Sequence, residues 1–419
     1  MKIGIYFKFV GYGLQFAMAK RYLIYLLWLL QTAHCKLMTN NFSYWEQTAF
    51  TGKADIVIIG SGLVGLSAAL TIKKQQPNLN VLMLERGFLP SGASTKNAGF
   101  ACFGTASEQL EFIRRSSAEE AVKLVDYKWR GLQRLRQNLG DENIRYHQHG
   151  GYELFMANEA DHAEACTAQL AYLNELLGPV IGHKNIYAVA DDQINAFGFK
   201  GVGHMIYNPF EGQIHTGYMM RTLLHKVYQT DTIVLNNCEV TDMVNEDTGI
   251  SIKTTQGNFK AGKVILATNA FARQLYPELQ VTPGRGQVLV TKHIPNLKLK
   301  GTYHFNEGYY YFRNIDDRVL FGGGRNIDFN AEATWDFGQT EAVKRQLVKY
   351  LQEMIIPDTP VEVDYWWSGI MGFGEDISPI IKEVKPGIFC AVRCNGMGVA
   401  MGSLVGEEVA VLSLSPPAP

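Results

Sequence analysis

Cysteine is scarce and unpatterned in this 419-residue chain: Cys35, Cys102, Cys166, Cys238, Cys390 and Cys394, with no CxxC pair. Cys390 and Cys394 stand four apart, but no histidine or second cysteine pair completes a metal site beside them. The scatter fits reduced, mostly buried thiols in a cytoplasmic protein. An excess of charge of either sign is also missing. With 39 Lys and Arg against 40 Asp and Glu, the formal net charge is −1, which gives no electrostatic case for nucleic acid or an anionic membrane as partner. The apolar run Tyr22–Leu30, preceded by Lys20 and Arg21, is too short to cross a bilayer, which takes about 20 residues. It suits either a signal-peptide core, with a poor cleavage or lipid-attachment site at Thr32–Cys35, or an upstream extension with Met38 as the true start. Met38, standing a normal distance before the first strand, favours the extension, and residues 1–37 are placed outside the fold either way. Internal repeats, low-complexity linkers, a catalytic triad and a metal cluster are absent from the pattern.

What is present is a dinucleotide-binding fingerprint. Asp55-Ile-Val-Ile-Ile-Gly60-Ser-Gly62-Leu63-Val64-Gly65 runs from a β-branched strand into an amphipathic helix over Leu66–Lys74. Gly60 allows the tight turn, Gly62 lets backbone approach a pyrophosphate, and Gly65 lets the helix pack on the sheet. The helix then aims its free N–H groups and dipole at the phosphates. Glu85 closes the next apolar run, Val81–Leu84, where a carboxylate can accept both hydroxyls of an adenosine ribose. The fingerprint does not by itself separate NAD from FAD.

Downstream, residues 87–104 form a long Gly/Ser/Ala-rich loop, a length that is usually functional. Helical periodicity covers Ser107–Leu139 and about Ala160–Leu177, with strand patterning at Tyr146–Met156. A helix is expected from His215-Thr216 through Tyr228 with Thr216 as N-cap. Short strands fill residues 233–267 and end in the small residues Ala267-Thr268-Asn269. Alternating strands follow at Gln287–Thr291, Tyr309–Arg313 and Arg318–Arg325, then a helix at Thr340–Glu353. The chain closes with a strand from Phe389, the turn Asn395-Gly396-Met397-Gly398-Val399, and a helix over Ser403–Leu412.

Taken in that order, Glu85-Arg86-Gly87, the Ser/Lys/Asn/Gly loop, the Ala-Thr-Asn strand end and the Asn-Gly-Met-Gly turn resemble the D-amino-acid oxidase-like superfamily of FAD-dependent amine oxidoreductases. The resemblance covers roughly residues 54–412. It implies an α/β (α+β) fold: a Rossmann-like FAD-binding domain from 54–141, 205–284 and 362–412, and a mixed antiparallel-sheet substrate domain from 142–204 and 285–361. It implies non-covalent FAD. Gly60, Gly62 and Gly65 would hold the pyrophosphate and Glu85 the adenosine ribose, with Leu63, Val64 and Arg86 also at the cofactor and Val240 pairing with adenine through its backbone. Ser94, Lys96, Asn97, Ala98 and Gly99 would run past the isoalloxazine, and the strand end at Thr268 and Asn269 would also pass close to the cofactor. Gly396, Met397, Gly398 and Val399 would sit at the N1–C2=O edge, where N–H groups and a helix dipole stabilise reduced flavin. The rival reading of that last segment is an ordinary strand-to-helix turn.

The activity implied is oxidation of a small primary or secondary amine, most simply an amino acid, to an imine by hydride transfer to flavin N5, followed by hydrolysis. Such chemistry needs orientation and exclusion of water more than acid–base groups. Arg313 is the expected carboxylate anchor, against the alternative of a surface arginine. Tyr309 and Tyr311 share a strand face and form either an aromatic cavity wall or a sheet core. Lys96 either stabilises superoxide or contacts pyrophosphate or backbone, and His215 is either a site residue or a structural hydrogen bond. Trp366-Trp367 and the turn to Gly372 resemble the return to the flavin domain and are assigned to packing. The electron acceptor is O2 or a quinone. Polyamine oxidation, a membrane-linked dehydrogenase and a non-catalytic flavin-binding module are the alternatives.

Overall fold

The computed structural model describes residues 42–416. The apolar run after Asp55 forms the strand Ala54–Ile59, central in an eight-stranded sheet. It pairs in parallel with Val81–Leu84 on one side and Gly257–Leu266 on the other, so that Ile58 stands between Met83 and Ile265. Ile56 and Ile58 pack into one apolar cluster, Val57 and Ile59 into another. Burial on both faces is why this strand reads as a continuous hydrophobic run rather than an alternating one. The parallel ladder continues outward through Ile233–Leu235 and Ile388–Val392.

Helices Leu63–Gln75, Ala118–Leu139, Thr216–Tyr228 and Gly398–Leu414 cover one face, with Leu66, Leu132, Met220 and Met401 in one core. The other face is closed by the antiparallel strands Val240–Glu246 and Gly249–Thr254 and by residues such as Tyr276 and Leu279.

A second eight-stranded sheet runs in the order Val363–Phe373, Thr282–Thr291, Arg318–Gly323, Tyr310–Ile315, Thr302–Phe305, Gly151–Met156, Val202–Asn208, Ala188–Val189. All its pairs are antiparallel except Thr302–Phe305 with Gly151–Met156. Its outer face packs Tyr303, Phe305, Tyr310, Phe312 and Phe321 against Leu347 and Leu351. The inner face looks toward the first sheet.

Several local expectations are corrected. The helix expected over Ser107–Leu139 is two, Ala106–Arg115 and Ala118–Leu139, because Ser117 caps the second by accepting from Glu120 N at 3.1 Å. The cap of Thr216–Tyr228 is His215, whose Nδ1 accepts from Tyr218 N at 3.2 Å, so Thr216 is the first helical residue. The last helix starts five residues earlier than expected, at Gly398. Val202–Asn208 and Val363–Phe373 both belong to the second sheet, so strands run past the boundaries placed at 205 and 362. The expectation about residues 1–37 lies outside the described residues, as does Cys35. The five described cysteines are free and buried. Among the described residues no helix is long and apolar enough to cross a membrane.

Candidate active site

Between the two sheets lies a cavity of about 680 Å³. Its first end is built by backbone. Gly60 adopts φ +98°, and a Cβ there would lie 2.9 Å from the carbonyl oxygen of Ala267. A Cβ on Gly65 would come within 2.1 Å of Gly60 O, so the helix reaches its strand only because that atom is missing. The helix opens after Gly62 without a side-chain cap, and Leu63 N donates to Ser94 Oγ at 2.9 Å. Glu85 lines the same end, its carboxylate fixed by Ser61 N at 3.1 Å, Ser61 Oγ at 2.9 Å, Gly87 N at 2.9 Å and Ser91 Oγ at 2.9 Å. Arg86 stacks on Phe271, 3.6 Å from the ring centroid. Val240, Thr268 and Asn269 complete this end, and the buried Thr268 hydroxyl has no partner among the described residues.

The middle of the cavity is formed by the loop after Glu85, expected to be structureless. It contains one helical turn, Ala93–Lys96, and is pinned on every side. Thr95 Oγ1 donates to Pro90 O at 2.6 Å, Trp367 Nε1 to Lys96 O at 2.8 Å, and Thr216 Oγ1 to Asn97 Oδ1 at 2.9 Å. Phe100–Ala101 then pairs with Gly212–Gln213. Facing this loop, Gly396, Met397, Gly398 and Val399 lead into the last helix, whose N-terminus also lacks a side-chain cap. Two long helices therefore present uncapped, electropositive N-termini to one cavity.

The far wall is the inner face of the second sheet. Tyr309 and Tyr311 line it, while Tyr310 and Phe312 point into the core behind, as strand alternation requires. Burial pushes the Tyr311 phenol up to about 12, so it stays protonated and can donate. Arg325 joins them. After Gly323 the chain turns through Gly324 at φ +80°, and the Arg325 guanidinium packs on Phe373 at 3.9 Å and on Phe329 at 5.1 Å. Burial lowers its pKa from the ordinary arginine value.

The model of the FAD-dependent oxidoreductase family matches residues 55–412. The chain belongs to that family. Proteins similar to this oxidoreductase include N-methyl-L-tryptophan oxidase of Yersinia pestis, 22% identical over an alignment of 394 positions, which covers 87% of this chain and 96% of that protein. Glycine oxidase of Geobacillus kaustophilus superposes with a TM-score of 0.68 at 22% identity, over 87% of this chain and 95% of that one. L-Proline dehydrogenase of P. horikoshii superposes with a TM-score of 0.68 at 19% identity, covering 87% and 94%. The cofactor of this oxidoreductase is FAD, and the cavity fits it: a glycine-lined cradle, a fixed carboxylate, an orphaned hydroxyl at Thr268 and two open helix N-termini.

Of the residues expected at the site, the structure brings nearly all to the cavity, from Gly60 through Lys96 and Tyr311 to Val399. Gly65 acts from behind it. Arg313 and His215 lie outside the lining. Arg313 is buried, and its guanidinium donates to three backbone carbonyls: Ala98 O at 2.5 Å, Ile214 O at 3.0 Å and Asn314 O at 3.1 Å. Burial lowers its pKa to about 10. Neither a free carboxylate anchor nor a surface residue, it clasps the loop at residues 93–99 to the second sheet. His215 is committed to its helix cap. Lys96 lines the cavity with its ammonium 5.3 Å from the Phe337 ring centroid. Arg325, His304, Glu108 and Phe373 also line the cavity and were not expected there from the sequence. The run Gly322-Gly323-Gly324 before Arg325 was the available signal, since a glycine-terminated strand can turn the next side chain back over the sheet.

Proposed function

We propose that this FAD-dependent oxidoreductase oxidises an amino acid at the carbon bearing its amino group, giving an imine that water hydrolyses. The observation that carries this reading is Arg325, a cation in the same cavity as the FAD cradle, flanked by Tyr309 and Tyr311. A guanidinium partly withdrawn from water and stacked on an aromatic ring is preorganised for a bidentate pair with a carboxylate. FAD, when bound, supplies the two-electron acceptor. The protein's own residues do the rest.

Arg325 holds the carboxylate, which fixes one end of the substrate. Tyr311 and Tyr309 form a wall that limits its rotation, and a near-attack orientation of this kind can supply a large part of the rate. Phe373 and Phe329 shield the arginine from water, which strengthens the ion pair. Lys96 adds positive charge on the cofactor loop. The names of the similar proteins, two amino-acid oxidases and a proline dehydrogenase, support the same substrate class.

The test is an anaerobic titration of the FAD-loaded protein with glycine, sarcosine, the two alanine enantiomers, proline and their decarboxylated counterparts, followed in the visible band of the flavin. Bleaching by amino acids and not by the matching amines is the expected outcome. Bleaching only by carboxylate-free amines would overturn the assignment of Arg325 and move the substrate class to polyamines.

A further inference from the structure

The inner face of the second sheet has two chemically different sides. Tyr311 on the strand Tyr310–Ile315 stands directly opposite His304 on Thr302–Phe305, and His304 in turn opposite Glu153 on Gly151–Met156. On the other side of Tyr311, the guanidinium of Arg325 reaches to the strands Thr282–Thr291 and Val363–Phe373: Phe373 lies under it, and Nη1 would be 3.3 Å from a Cβ on Gly284. The sheet order places three strand spacings between Thr282–Thr291 and Thr302–Phe305. At ~4.8 Å each, that is roughly 14 Å from the cationic side to His304. Between them lies an aromatic stretch, with Phe100 edge-on to Tyr311 at 5.6 Å and to His304 at 4.9 Å.

His304 lines the cavity, yet no hydrogen bond reaches its ring among the described residues, and Nδ1 is fully enclosed without a partner. Burial lowers its pKa, which keeps the ring neutral and able to accept a proton-bearing group. Glu108 lies beside it at the exposed mouth. Its Oε2 accepts from Thr105 N at 3.0 Å, closing the capping box of the helix Ala106–Arg115, and its Oε1 has no donor among the described residues. A Cβ on Gly308 would sit within 2.4 Å of that Oε1, so the glycine leaves room for it, and Glu307 adds a second carboxylate to the rim. The other charges nearby are already committed. Glu153 accepts from Ser107 N at 3.1 Å, and Lys128 donates to Phe103 O at 3.1 Å from outside the lining.

We propose that His304 and Glu108 determine specificity by binding the far end of the substrate, and that this end is a protonated amine on a side chain of several methylenes. This rests on the reading of Arg325 as the carboxylate anchor. Glycine or alanine held at Arg325 would leave the aromatic stretch and the acidic mouth unfilled. An extended dibasic amino acid spans them, with its methylenes on Phe100 and Tyr311 and its ammonium between a carboxylate and an imidazole acceptor.

The experiment compares length-matched pairs, lysine with norleucine and ornithine with norvaline, each as both enantiomers, in anaerobic stopped-flow reduction of the FAD-loaded protein. The dibasic member of a pair should reduce the flavin with a second-order constant roughly tenfold or more above its apolar partner, the scale of a charge-assisted hydrogen bond. In Glu108→Gln that ratio should fall toward one, mainly through the apparent dissociation constant. Glutamine keeps the capping box with Thr105, so the helix start is retained, and the flavin spectrum checks the fold. Equal reduction by both members of each pair in the unmodified protein overturns this inference and leaves the amino-acid reading standing. If no amino acid reduces the flavin while simple amines do, both readings fall.

Discussion

Two arginines that look equivalent in the sequence do different jobs. Arg313 gives all its hydrogen bonds to carbonyls of three segments, whereas Arg325 offers its fork to the cavity. Arg313→Lys keeps the charge but cannot reach Ala98 O and Ile214 O together. It should cost about 2–4 kcal/mol of stability, by leaving buried carbonyls without donors, and the protein should lose FAD on dialysis. Arg325→Lys should leave the denaturation midpoint and flavin content nearly unchanged and raise KM for an amino acid by roughly tenfold to a hundredfold, since a point charge replaces a bidentate fork. Thermal melts and steady-state kinetics on the two variants separate the roles. If Arg325→Lys unfolds the protein and Arg313→Lys raises KM alone, the assignments are reversed. The reason the sequence points to Arg313 rather than to the proposed anchor Arg325 is geometric. Alternation correctly puts Tyr309, Tyr311 and Arg313 on one face, but it does not tell how far along the strand the cavity extends. Arg313 lies beyond its edge, under the cofactor loop. Arg325 comes back over the edge through a glycine turn that alternation cannot represent.

At the scale of elements, the legible parts are those whose signal is local. The fingerprint strand, its helix and Glu85 carry their chemistry within thirty-odd residues of chain. The loop at 87–104 was recognisable in the sequence from its length and composition. Its pinning was not, because the partners Thr216, Trp367 and Arg313 are more than a hundred residues away in sequence. The cap of Thr216–Tyr228 shows the same limit: threonine is the better cap by preference, but it is spent on Asn97, and histidine takes its place. The two residues can therefore be separated by experiment. Thr216→Val should weaken FAD binding by about 1 kcal/mol, the worth of one hydrogen bond to the loop, with a smaller effect on the apoprotein. His215→Ala should cost about 1 kcal/mol of apoprotein stability as a lost cap and leave the FAD dissociation constant within twofold. Denaturant unfolding of apoprotein together with flavin fluorescence titration reads both. A tighter dependence of FAD binding on His215 than on Thr216 would restore His215 to the site.

For the whole molecule, the seam behind the site buries titratable groups that the proposed reaction does not use. Glu211 accepts from Phe103 N at 2.9 Å and Gly104 N at 3.1 Å, yet burial raises its carboxyl to about 8. Glu153, enclosed beside Ser107, is raised by burial to about 7. Both folded-state values lie above the unfolded carboxyl value of about 4.3. Their contribution to stability is therefore fully present below that unfolded value and is lost as pH rises through about 7 for Glu153 and about 8 for Glu211. Three histidines act in the opposite sense. His149, His215 and His304 are lowered by burial, so the fold gains stability from them as pH rises toward about 6.5, where an unfolded histidine titrates. Lys128, also lowered by burial, opposes the carboxyls in the same way on the alkaline side. The clean window is thus between about 6.5 and 8, where Glu211 dominates with a slope of up to ~1.4 kcal/mol per pH unit. Glu211→Gln keeps an oxygen for both N–H donors and removes the titration. The unmodified protein should lose stability across that window while the variant stays nearly flat, so the two unfolding curves diverge as pH rises. Parallel curves would mean that Glu211 is ionised throughout and that Lys128 neutralises it in the folded state.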